Sequence, residues 1–159
     1  MKNLKLLFHL MAISWIFIQC SSNSEITPQL TAEQIKKLIG TTWQLSSNSG
    51  TTVVVTNGKT TSGTSDGLSN NAAKVFFNDA VIIAFFRKDN TTYSSGYNIS
   101  GNEIYISNGV GKGYFLLTLD GNTMTWTLDK ERLTKTGNDL GVTNFTVQSA
   151  DIKLVYKKI

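Results

Sequence analysis

Beyond residue 41 the chain alternates hydrophobic and polar positions with a period of two, which predicts strands. Two stretches mirror themselves about a turn. With Gly101-Asn102 as a two-residue loop, Ile99 faces Ile104 and Tyr97 faces Ile106, while Asn98, Ser100, Glu103 and Tyr105 share the opposite side. Around Asp120-Gly121-Asn122 the loop is either Asp120-Gly121 or Gly121-Asn122. Either choice puts Phe115, Leu117 and Leu119 on the face of Met124, Trp126 and Leu128, with Thr118, Thr123, Thr125 and Thr127 pointing away. Each hairpin therefore has one face for a core and one for water.

The remaining elements follow in chain order. Thr31-Ala32-Glu33-Gln34 has capping-box spacing and Leu30 with Ile35 that of a hydrophobic staple, so a helix starts here and Gly40 ends it. At about two turns it is marginal alone, and Ile35, Leu38 and Ile39 are expected to pack on the open end of a barrel. Strands are predicted over residues 42–47 and 52–56, the second closing on the hairpin signal Asn57-Gly58. In residues 59–71 Leu68 is the single apolar side chain, which reads as a mobile loop or a ragged polar hairpin, with a lid over a barrel mouth as its functional reading. Residues 74–77 and 81–87 are the most apolar. Both faces of residues 81–86 are apolar, so a helix, loop or partner is expected over the outer one, near Phe86. Asn138 to Gly141 is read as a turn, and residues 145–148 and 151–158 as the closing strands, with Ile152, Leu154 and Tyr156 alternating with Lys153, Val155 and Lys157.

About eight or nine short strands joined by tight turns predict an all-β, up-and-down antiparallel barrel, because closure removes the open edges of a sheet. The capped helix running into Gly40-Thr41-Thr42-Trp43, followed by this meander, resembles the lipocalin superfamily, in particular the lipocalin-like domains of small Bacteroidota lipoproteins. The family's G-x-W is one residue longer here. The resemblance implies a cup over residues 30–159, with Gly40 and Trp43 as structural elements of its base and a small apolar ligand inside. Phe85, Tyr97, Ile104, Phe115, Leu117, Trp126, Leu154 and Tyr156 are the candidate lining residues. A barrel of this size either fills with such side chains or holds one small ligand. Tyr97 and Tyr156 are the most informative of them, since a buried hydroxyl needs a partner.

The start of the chain sets its expected address. Lys2 and Lys5 precede an apolar run at residues 6–18 that is short for a membrane span, and Cys20 follows with Ser21 and Ser22. This is similar to a bacterial lipoprotein signal, with Gln19 where that family usually has a small residue. The similarity implies a signal peptide over residues 1–19 and lipidation of Cys20 with fatty chains such as palmitate. Residues 20–29 then tether the barrel to a membrane of the cell envelope, the outer membrane being favoured. The alternative is an ordinary secretory signal cut after Ser22.

Composition narrows the chemistry. His9 and Cys20 are the only histidine and cysteine, so removal of the leader leaves no imidazole and acylation leaves no free thiol. Disulfides, His-dependent nucleophiles and zinc or copper sites are thereby excluded from the processed domain. Without the two leader lysines, the 15 basic residues fall to 13 against 11 acidic ones, too weak a balance for nucleic acid. Gly109-Val110-Gly111-Lys112-Gly113 lacks the remaining features of a phosphate loop and reads as a hairpin turn. Asp129 and Glu131 alternate with Lys130 and Arg132, the pattern of a solvated strand edge. No cofactor and no metal are expected. The function expected is non-catalytic binding of a small apolar ligand by an envelope lipoprotein. The alternative is a protein-binding envelope module, an inhibitor, immunity or assembly component, with a filled barrel.

Overall fold

A computed structural model describes residues 29–65, 72–86, 90–108 and 111–159. Cys20, the leader and nearly all of the tether lie outside the described residues, as do residues 66–71, 87–89 and 109–110. The order of elements is α1 (Ala32–Lys36), β1 (Thr42–Thr56), β2 (Lys59–Thr64), β3 (Ala72–Phe77), β4 (Val81–Phe86), β5 (Thr91–Ser100), β6 (Glu103–Ile106), β7 (Gly113–Asp120), β8 (Thr123–Asp129), α2 (Lys130–Asp139) and β9 (Phe145–Lys158). The sheet runs β2-β1-β3-β4-β5-β6-β7-β8-β9, every pairing is antiparallel, and β1 also pairs with β9. The result is a closed eight-stranded barrel with β2 as one extra strand.

Both hairpins read from the alternation have the expected register. Tyr97 pairs with Ile106 and Ile99 with Ile104. Asp120 pairs with Thr123, which fixes Gly121-Asn122 as the second loop. The capping box is formed as well, Gln34 N donating to Thr31 Oγ1 at 3.2 Å and Thr31 N to Gln34 Oε1 at 2.9 Å. After α1 the chain turns at Gly40, where φ is +78°, and Gly40 N donates to the carbonyl of Phe77. Leu30, Leu38 and Ile35 join the core, but Ile39 is 39% exposed and does not. A helix this short presents only one face to the barrel, and Ile39 lies past that face.

Two expectations are corrected and one pair of alternatives is resolved. Residues 42–56 form one strand rather than two, because β9 pairs with it from Trp43↔Lys158 to Thr56↔Phe145. The polar run around the gap between the two predicted strands is where β1 bends. Ser46 is skipped in the ladder, its hydroxyl donating to Val155 O at 3.0 Å, and Gly50 takes φ +112°. The closing strand is likewise continuous over Phe145–Lys158. Next, of the two readings of residues 59–71 the polar hairpin holds for 59–64, which pair from Thr56↔Lys59 to Thr51↔Thr64 across the turn Asn57-Gly58. All six residues of β2 are exposed, which is why no hydrophobic period announces them. Finally, residues 130–139 are a helix, not a solvated strand edge. Asp129 is its N-cap, accepting from Arg132 N at 2.9 Å.

Polar contacts fix α2 to the barrel wall. Tyr114 N donates to Thr136 Oγ1 at 3.0 Å, and Tyr105 donates to Asp139 Oδ2 at 3.0 Å. Lys135 pairs with Glu103 and lies 3.9 Å from the centre of the Tyr114 ring, which stacks on Tyr105. Gly137 is buried under the Phe145 ring, whose Cε1 would lie 2.3 Å from an added Cβ, so the close approach requires glycine.

Candidate functional site

Antiparallel neighbours run in opposite directions, so each end of the barrel collects strand beginnings and strand ends in turn. At one end are Trp43, Phe77, Ile82, Leu119, Met124 and Tyr156. At the other are Val54, Ala72, Phe86, Phe115, Leu128 and Ile152. The two ends differ in packing.

The first end is closed. Leu38 and Trp43 are 1% and 3% exposed, and Thr41 ties them together: its hydroxyl accepts from Trp43 Nε1 at 2.8 Å and donates to the carbonyl of Leu38. Above this base, Phe77, Ile104, Leu117 and Met124 are fully buried. Phe77 meets the rings of Tyr97 and Trp126 edge-on, and Trp126 tilts against Phe115 and Tyr156. This half of the interior is packed with side chains. A dimple of about 250 Å³ lies outside the base, between Lys37, Leu38, Trp43 and Lys158.

The opposite end holds a cavity of about 450 Å³, within the range usual for small-molecule sites. Val54, Ala72, Phe86, Phe115, Leu128 and Leu154 form most of its wall, and Leu133 of α2 leans over the rim. Thr52 and Ser65 are the polar side chains, and no charged one lines it, among the described residues. The helix that the charge pattern concealed thus contributes to the mouth.

The candidate lining residues divide accordingly. Phe115 and Leu154 line the cavity. Trp126 lies one step deeper, paired with Leu154 and Leu117. Ile104, Leu117 and Tyr156 are in the packed core, at 0%, 0% and 1% exposure. Tyr97 packs against that core, and its hydroxyl donates to the carbonyl of Asn78 at 2.9 Å. Phe85 is corrected: Ile82, Ala84 and Phe86 face inward, so Phe85 stands on the outer wall and Phe86 in the mouth. The half-exposed outer apolar face is therefore that of Phe76, Ile83 and Phe85 rather than of Phe86. Sequence reasoning also missed Val54, Ala72, Leu128, Leu133 and Ile152. For Val54, Leu128 and Ile152, parity along their own strands was a usable signal.

A polar groove of about 480 Å³ on the outer wall runs past Gln29, Ser100, Asn102, Glu103 and Arg132. Its charges are engaged in holding α2: Arg132 pairs with Asp129 and lies 3.8 Å from Glu103, which also takes Lys135. Among the described residues no group of His, Cys, Asp and Glu side chains could hold a metal ion.

Burial also perturbs the tyrosines. Desolvation raises the Tyr156 hydroxyl far above its ordinary pKa, and it raises Tyr97 with help from the carboxylate of Asp79. A proton-binding group whose folded pKa lies above its unfolded value stabilises the fold below the unfolded pKa and loses that contribution as pH rises. The tyrosine contribution to stability is therefore expected to be flat up to about pH 10 and then to fall by up to ~1.4 kcal/mol per pH unit for Tyr156 alone. Urea unfolding at stepped alkaline pH checks this, with Tyr156→Phe showing the shallower decline.

No protein-family model, curated protein or solved structure matches the chain. Fold and site together define a class: a closed antiparallel barrel, packed at its base and hollow and apolar at its mouth.

Proposed function

We propose that this chain is a non-catalytic envelope lipoprotein whose lipocalin-like barrel binds a small apolar molecule in its mouth. The observation that carries the reading is the largely apolar cavity of about 450 Å³ at the end of the barrel opposite its packed base. A core with no task beyond stability is expected to close such a space, since each unfilled volume forfeits dispersion and transfer energy. The lipid anchor at Cys20 and the envelope address rest on the leader sequence.

The test is saturable binding of N-phenyl-1-naphthylamine, followed by its fluorescence. Leu154→Glu puts an unpaired carboxylate in the cavity wall and should weaken binding by tenfold or more, on the order of the cost of a buried charge. Phe85→Ser, on the outer wall, should leave it unchanged. Absence of saturable binding to the unaltered protein would refute the reading. The anchor is checked separately by radioactive palmitate labelling in cells, which Cys20→Ala should abolish.

A second reading has one observation in its favour. β2 is fully exposed, and among the described residues its outer edge has no strand partner, so a strand of another protein fits there by edge addition. A stoichiometric protein recovered with a ligand-free barrel would favour this reading.

A further inference from the structure

The polar atoms of the barrel's aromatic residues are mostly engaged. Trp43 Nε1 has Thr41, the Tyr97 hydroxyl has the carbonyl of Asn78, and the Tyr105 hydroxyl has Asp139. Trp126 Nε1 differs: it is buried and no acceptor reaches it. Arg132 Nε also lacks a hydrogen bond, but it lies beside Glu103 on the outer wall. Trp126 is therefore the unsatisfied donor of the barrel interior among the described residues. Leaving such a donor unpaired costs roughly 1–3 kcal/mol.

Its place in the barrel is informative. Trp126 is the cross-strand partner of Leu154, and its ring lies 5.6 Å from that of Phe115. Both neighbours line the mouth cavity. Tyr156, with its ring 5.7 Å from the indole, lies on the core side. Trp126 therefore belongs to the layer of side chains between the packed half and the hollow half, and a ligand in the mouth meets its N–H only by displacing part of that layer.

We propose that Trp126 Nε1 is the polar recognition point of the mouth, taking a neutral carbonyl oxygen on an otherwise apolar ligand. The inference rests on the mouth being a ligand site and adds the chemical class of that ligand. An indole N–H donates and cannot accept, so the ligand must bring an acceptor. A carboxylate is disfavoured, because no cation among the described residues lines the cavity and a desolvated charge is costly. An alcohol would bury its own hydrogen against apolar walls. A ketone, ester or amide carbonyl brings only the acceptor.

Two probes of matched length, 2-nonanone and nonane, separate the outcomes in the full chain, with binding and the indole N–H resonances followed by ¹H–¹⁵N correlation spectra. The ketone is expected to bind about tenfold more tightly than the alkane, the equivalent of one well-made hydrogen bond. It should also move one indole resonance downfield, and Trp126→Phe should remove that resonance. Trp126→Phe should bind both probes alike, with nonane affinity kept as the control for an intact pocket. If that variant does not fold, the shift in the unaltered protein decides. Equal affinities with an unmoved resonance would overturn the carbonyl proposal while leaving the mouth as a binding site, an internal water then being the natural partner of the N–H. Binding of neither probe would overturn both readings.

Discussion

Replacing Gly50 by alanine is expected to destabilise the fold by about 4 kcal/mol or more, among the largest costs of a single methyl group. The residue sits at the bend of β1 opposite Ile152, with φ +112°, a conformation that side-chain-bearing residues rarely adopt. A Cβ built there falls 1.6 Å from the carbonyl oxygen of Asp151, and backbone cannot rotate away as a side chain can. Gly58 provides the comparison. Its φ is +75°, and nothing lies within 4 Å of an added Cβ, so Gly58→Ala should cost only the dihedral term of about 1–2 kcal/mol. Urea midpoints measured at a constant slope separate the two. Equal losses would mean that the close approach of β1 and β9 is not what requires glycine.

Phe77→Ala is expected to cost roughly 3–5 kcal/mol, the range for deleting a buried aromatic ring, and so to lower the midpoint of thermal unfolding by about 10 °C. Phe77 is 0% exposed and meets the rings of Tyr97 and Trp126 at 5.4 and 6.5 Å. Its backbone also receives Gly40 N and donates to the carbonyl of Thr41, so the residue that plugs the interior also fixes the exit from α1. A variant that loses less than about 1 kcal/mol would show that neighbours collapse into the space, contrary to a rigidly packed lower half.

Legibility in the sequence followed the contrast between the two faces of each element. In residues 97–106 and 115–128 one parity is apolar and the other is Asn, Ser, Glu or Thr, so period and turn together determine register. Residues 81–86 are apolar at every position, and parity then carries no information. Phe85 and Phe86 were exchanged for that reason, and with them part of the mouth. The run Ser46 to Thr51 is strand because β9 lies beside it, a partner about a hundred residues away. In α2 the one large apolar residue is Leu133, so the helix lacks the stripe by which helices are read. Its N-cap Asp129 was a signal, overshadowed by the charge alternation around it.

The seam between β1 and β9 sets the order in which the molecule can be finished. Its ladder joins the earliest barrel strand to the latest, from Trp43↔Lys158 to Thr56↔Phe145, so loop closure must span nearly the entire domain before any of these bonds forms. Until β9 arrives, the intervening hairpins remain an unsealed sheet with two raw margins. A polypeptide of this topology locks only when its last ribbon has docked against its first.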